Sequence, residues 1–300
     1  MKSQKNILIV FILNLMFSLF EFVGGIITGS VALASDAVHD LGDAVSIGVS
    51  YFLERKSQLQ PNSIYTYGYL RYSVLGSVFT TFVLLFGSVL VIYKAIYRIF
   101  NPVEINYNGV LVFAVVGFCV NFFAALLTKK SASINQKAVN LHMLEDMLGW
   151  VVVLVGAVVM RFTDFAIIDP LLSIAVAFYI LIGAVKILKQ ALDLFLEKTP
   201  KNLNSDKIKE QLCSIDGVNS VHHIHIWSLD GLTNIATMHI VSDEESEIIK
   251  GKVREELLEF GINHSTLEIE KNNEKCGDEI CNIHFQTEKV HHCHHLHTHN

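Results

Sequence analysis

Two stretches decide how this sequence reads: Ser35-Asp36-Ala37-Val38-His39-Asp40-Leu41-Gly42-Asp43 and Asn140-Leu141-His142-Met143-Leu144-Glu145-Asp146. Each lies inside a long apolar run, and each carries a His followed four residues later by an Asp. Residues i and i+4 share a helix face, so each stretch offers an imidazole and a carboxylate to a common point. Ionisable groups are expensive in a bilayer; where they occur they face the bundle interior and mark a pathway. Two such pairs supply two nitrogens and two oxygens, a tetrahedral set suited to zinc. The plainer account, in which these groups only hydrogen-bond helices together, suits one polar residue better than two copies of one spacing. His39, Asp43, His142 and Asp146 are therefore the candidate ligands of a transport site.

The composition agrees. The 300 residues are 51% hydrophobic and 17% charged, with a mean hydropathy of +0.42, too apolar for an ordinary soluble protein. Apolar blocks of spanning length run over residues 7–28, 31–53, 72–97, 108–128, 138–160 and 165–188, which predicts six membrane helices. The first block is too long for the core of a signal peptide, contains Glu21 and leads straight into further spans. Lys2, Lys5, Arg55, Lys56, Arg71, Lys129, Lys130, Lys137, Lys186 and Lys189 fall on one side of this topology. Little beyond Lys94, Arg98 and Arg161 falls on the other, so both termini are expected in the cytoplasm, in a multi-pass protein of the cell membrane. His39 lies about eight residues into its span and His142 about four into its own, which places both pairs within the bilayer. They meet near the midplane if the fifth helix begins a turn before residue 138.

After residue 199 the pattern changes. Helical periodicity over 206–214 and 245–260 and strand alternation over 221–227, 234–241 and 265–270 give the order α-β-β-α-β. That order suggests a small ferredoxin-like α+β domain. The fold class expected is thus a six-helix membrane bundle (1–199), a cytoplasmic ferredoxin-like domain (200–273) and a Cys/His-rich tail (274–300). On a regular strand His222, Ile224 and Ile226 share one face, and His223, His225 and Trp227 the other. Cys213, Cys276, Cys281 and Cys293 fall in this half, where reducing conditions favour thiol or metal chemistry over disulfides. The tail holds six histidines and Cys293 within nine residues, a composition that suits metal buffering. No basic stripe of the kind that binds nucleic acid is present.

Taken together, these features resemble the cation diffusion facilitator family of metal/proton antiporters. The resemblance covers about residues 7–270 and rests on Ser35-Asp36-Ala37-Val38-His39 with Asp43, Tyr65-Thr66-Tyr67-Gly68-Tyr69 with Arg71, and His142 with Asp146. Asp169-Pro170, Val221-His222-His223-Ile224-His225-Ile226-Trp227 and His264-Ser265-Thr266-Leu267-Glu268-Ile269-Glu270 complete it. By resemblance, His39, Asp43, His142 and Asp146 form the transport site, and the two-His, two-Asp set is that of the zinc-preferring branch. The resemblance also implies a cytoplasmic, regulatory metal site at His222, His239 and Glu270, with His264 a neighbour, and a homodimer. The pattern departs at His223, where many relatives carry Asp. Zn2+ is then substrate and regulatory ligand, with cadmium, cobalt and nickel as alternatives, protons as the counter-ion and no catalytic cofactor. Asp36 and Glu145 line an access path, take up protons or pack helices; the sequence leaves these open, as it does the role of Glu21. A zinc protease is excluded by the lack of a His-Glu-x-x-His string. A pure sensor would leave the paired membrane ligands without a purpose.

Overall fold

In a computed structural model of the chain, the described residues are 2–28, 31–101, 107–130, 133–162, 167–272 and 274. The Cys/His-rich tail, Cys276 and Cys281 lie outside them, as do the side chains of Asp36 and Asp169. The chain forms two compact units, one of Met1–Pro200 with Trp227–Ile235, the other of Lys201–Ile226 with Ala236 onward.

Six long helices make the first unit: α1 (Lys2–Thr28), α2 (Val31–Ser57), α3 (Arg71–Phe100), α4 (Tyr107–Lys129), α5 (Ile134–Phe162) and α6 (Ile168–Phe195). All but α2 are long and apolar enough over a continuous window to cross a membrane. Helix α2 is diluted by Asp36, Asp40 and Asp43, the stretch that carries the candidate site. Apolar side chains cover the outside of the bundle, including Met16, Ile27, Phe86, Val112 and Tyr179, as expected of helices solvated by lipid. The buried seams instead carry Ser, Thr, Asn and Gly, which let helices approach closely and bond across.

Helix α5 begins at Ile134, one turn before the apolar block suggests. Its first residues are polar, yet Asn135 and Gln136 are almost wholly buried. Asn135 Nδ2 donates to Glu54 Oε2 (3.1 Å) and Ser50 O (3.0 Å), while its Oδ1 accepts from Ser50 Oγ (2.6 Å). Ser73 Oγ, from α3, donates to the same Glu54 oxygen at 2.7 Å. Buried Glu54 thus ties α2, α3 and α5 together at one end of the bundle. The motif around Tyr65 forms an aromatic cluster with Tyr69 (ring centroids 4.4 Å apart) and Tyr72, and Arg71 bonds Glu197 at 2.8 Å.

After α6 come α7 (Ser205–Cys213), β1 (Ser220–Ser228), β2 (Asn234–Val241), α8 (Ser246–Glu259) and β3 (Ile262–Glu270), with sheet order β1-β2-β3; all but the Trp227–Ile235 turn region belongs to the second unit. Asn204 caps α7 by accepting from Asp206 N and Lys207 N at 2.9 and 3.1 Å. In α8, Ile249, Val253 and Leu257 recur every four residues and bury one face. They and Ile208 and Leu212 of α7 pack on Val221, Ile226, Met238, Ile240 and Leu267 of the sheet. A bond from Ser242 N to Glu270 O joins the C-terminal ends of β2 and β3, so those strands run parallel across the α8 crossover. Strand β1 departs from regular alternation. His223 has φ 54°, and inward-facing Val221 is followed by Ile224, packed on the core, then Ile226. The strand bulges at residues 222–223, and the expected separation of His222 and His223 onto opposite faces does not hold.

Gly117 of α4 marks a tight helix contact, since a Cβ there would meet the Trp150 ring at 2.5 Å and Phe17 at 2.8 Å. Replacing Gly117 by Leu is expected to cost about 1–3 kcal/mol through overpacking and to lower the melting temperature in detergent. Gly87→Ala, with nothing within 4 Å of the new methyl, is expected to leave it unchanged or raise it.

Candidate metal centres

The helical repeat decides which side chains meet in the bundle. Asp43 and His39 lie one turn apart on α2, and His142 and Asp146 one turn apart on α5, so two antiparallel helices can present four ligands across one seam. The structure joins them through Asp43. Its Oδ2 lies 2.9 Å from His39 Nδ1, and its Oδ1 lies 3.4 Å from His142 Nε2. One ligand atom from each of Asp43, His142 and Asp146 falls within 4.8 Å of the others, and so does one from each of His39, Asp40 and Asp43. These are two triads sharing one carboxylate. His39 therefore belongs to the cluster by way of Asp43, at its periphery, with its side chain 63% exposed. Asp43 and His142, by contrast, are nearly inaccessible.

The separations match a small ion's needs. Bonds of about 2.0–2.1 Å in a tetrahedron put neighbouring ligand atoms about 3.3 Å apart, beside the 2.9 and 3.4 Å observed. The hydrogen bonding agrees. Both ring nitrogens of His142 are buried and make no hydrogen bond among the described residues, while buried Asp43 Oδ2 faces His39 Nδ1. Orphaned buried donors and acceptors are costly, and a bound cation would take an Asp43 oxygen and one ring nitrogen of His142 as ligands, leaving the other nitrogen, Nδ1, on the side of Glu145. Two carboxylates also neutralise a divalent ion, which reduces the penalty of holding charge in a low-dielectric interior. Glu145 stands beside the cluster, accepting from Ser88 Oγ at 3.3 Å and lying 4.0 Å from His142 Nδ1.

A second cluster sits on the sheet face of the second unit that points away from α7 and α8. His239 alternates with core-facing Met238 and Ile240 and so points outward. His239 Nδ1 lies 2.6 Å from Glu270 Oε1, and His222 Nε2 lies 3.3 Å from Glu270 Oε2. His222, His239 and Glu270 hold one ligand atom each within 4.8 Å of the others. His264, near the start of β3, is exposed and is not in that cluster.

Two acids here escaped sequence reasoning. Asp40 joins the His39 triad, and Glu268 Oε2 lies 3.3 Å from His239 Nε2. Each had a simple signature: Asp40 follows His39 directly, and Glu268 precedes Glu270 by the two residues that keep a strand's side chains on one face.

The profile of the cation efflux transmembrane domain matches residues 7–196, and that of the cation efflux protein cytoplasmic domain matches residues 200–272. The chain is 31% identical to the zinc transporter ZitB of Yersinia pestis, covering 98% of this chain and 96% of that protein. It is equally similar, at 31%, to a cadmium, cobalt and zinc/H(+)-K(+) antiporter of Bacillus subtilis, with 97% of each chain covered. The metal cation efflux system protein CzcD of Cupriavidus metallidurans is 30% identical over 89% of this chain and 87% of its own.

Because Asp43 touches both histidines, its loss should be felt most. In a background carrying His222→Ala and His239→Ala, Asp43→Asn is expected to abolish zinc binding to the bundle in calorimetric titration. His39→Ala is expected to leave binding weakened by roughly 10–100-fold.

Proposed function

This chain belongs to the cation efflux family, and from that premise we propose that it exports zinc from the cytoplasm in exchange for protons. It is a multi-pass membrane protein that moves metal cations and not an enzyme. In the proposed reading, His39, Asp43, His142 and Asp146 are the transport ligands, and residues 1–199, 200–273 and 274–300 are transport domain, cytoplasmic domain and tail. The observation that carries it is the meeting of α2 and α5 side chains on Asp43, with the His142 nitrogens buried and without a hydrogen bond among the described residues.

Coupling follows from competition for the same atoms. A metal-binding imidazole must be neutral and a carboxylate deprotonated, so a cation entering the cluster displaces protons. When the cluster opens to the outside, incoming protons compete for His39, His142, Asp43 and Asp146 and release the ion. Imidazole, with an ordinary pKa of about 6.5, exchanges protons near physiological pH. A four-ligand nitrogen and oxygen set selects against magnesium and calcium, which take more oxygen ligands. It admits cadmium, cobalt and nickel as alternatives to zinc. Alternating access of this kind, around a fixed site between helices, is a common logic of secondary transporters. His222, His239 and Glu270 are proposed as a metal site that senses cytoplasmic zinc, with His264 outside it. The working protein is proposed as a homodimer in the cell membrane with both termini in the cytoplasm.

The test is zinc uptake into everted vesicles or proteoliposomes under an imposed proton gradient. Wild type is expected to accumulate zinc, and Asp43→Ala and Asp146→Ala to fall to background while remaining folded. Undiminished flux in both variants would remove the transport site from the bundle seam. Zinc binding without any wild-type flux would make the protein a sensor.

A further inference from the structure

The cluster in the soluble domain supplies three ligand residues, and a tetrahedral ion takes four. We propose that His223 is the fourth ligand, delivered by the bulge in β1. This deepens the reading of His222, His239 and Glu270 as a metal site and rests on it.

Three observations converge on His223. Its backbone lies at φ 54°, a region that side-chain-bearing residues seldom occupy. The consequence is spatial: Val221 and Ile224 both face the core, so His222 and His223 are left side by side on the ligand face. A regular strand would send one of them inward. The ring of His223 accordingly lies 4.7 Å from that of His239 and 6.5 Å from that of His222, centroid to centroid. Finally, His223 Nδ1 is buried and makes no hydrogen bond among the described residues. A strained backbone and an unsatisfied buried nitrogen are two costs at one residue, and a bond to a metal gives both a purpose.

His223 stands beside the three-residue cluster, so completing the ligand sphere takes a side-chain rotation. The result would be three nitrogens and one carboxylate, a donor set for zinc and its transition-metal neighbours rather than for magnesium or calcium. That set leaves a positive charge on a divalent ion, and Glu268, 3.3 Å from His239, is placed to balance it. His225 is more exposed and lies farther along the strand, its ring 5.6 Å from that of His223.

The test uses full-length protein carrying Asp43→Ala and Asp146→Ala to silence the bundle, with the same tail in every variant. His223→Gly and His223→Asn both accept a left-handed backbone and so remove the imidazole without disturbing the bulge. Zinc affinity is read by competition with a chromogenic chelator, and stability by melting without metal. The expected result is a metal-free melting temperature equal to or above that of the parent, with affinity at this site weakened by about tenfold or more. His222→Ala and Glu270→Gln are expected to lose the site. If the site survives unchanged in both His223 variants while His222→Ala loses it, His223 serves only the bulge and the proposal is wrong. If His222→Ala also changes nothing, the three-residue site itself is wrong, and the proposal falls with it.

Discussion

A carboxylate buried among apolar helices has to be answered by something, and in this bundle Asp43 is answered from two directions at once. One oxygen meets His39 on its own helix and the other meets His142 across the seam. An isolated buried charge would cost several kcal/mol, which favours the register of α2 on α5 that brings imidazoles to it. Asp146 adds a second acid to the same place. Two acids and few bonded donors are a poor static arrangement and a good receptor for a divalent cation.

The same periodicity extends the seam away from the site. Asp43, Ser50 and Glu54 lie seven and then four residues apart on α2, and Asn135, His142 and Asp146 lie seven and then four apart on α5. Run antiparallel, these two ladders set Asp43 against His142 and Ser50 against Asn135. The ligand end is left short of hydrogen bonds, while the Glu54 end is richly supplied from Ser73 and Asn135. The polar groups of one seam therefore differ in kind, one end holding helices together and the other gathering candidate metal ligands.

Much of this was legible in one dimension. The six helices follow from apolar runs of spanning length, and a repeated His-x-x-x-Asp spacing inside them points to the seam where Asp43 meets His39 and His142. What escaped reading were polar residues whose partners lie on other helices. Asn135 and Gln136 look like loop residues in the sequence, yet cross-helix bonds bury them and start α5 a turn early. The peripheral position of His39 was equally hidden, since spacing fixes a helix face and not how far a partner helix covers it. In the second unit the α-β-β-α-β order was readable, but the period-two rule misplaced His223 because one left-handed residue resets the alternation.

The soluble sheet has a mechanical side. Its candidate ligand residues come from all three strands, the first near the start of β1 and the last at the end of β3, with His239 on the central strand between them. An ion held there would act as a clip closing nearly the full contour of the sheet and the α8 crossover within it. The entropy of so long a loop would be removed from the unfolded chain rather than from the folded one. Such a clip would make the edge strands resist peeling from the centre separately, so that the sheet opens as one piece or not at all.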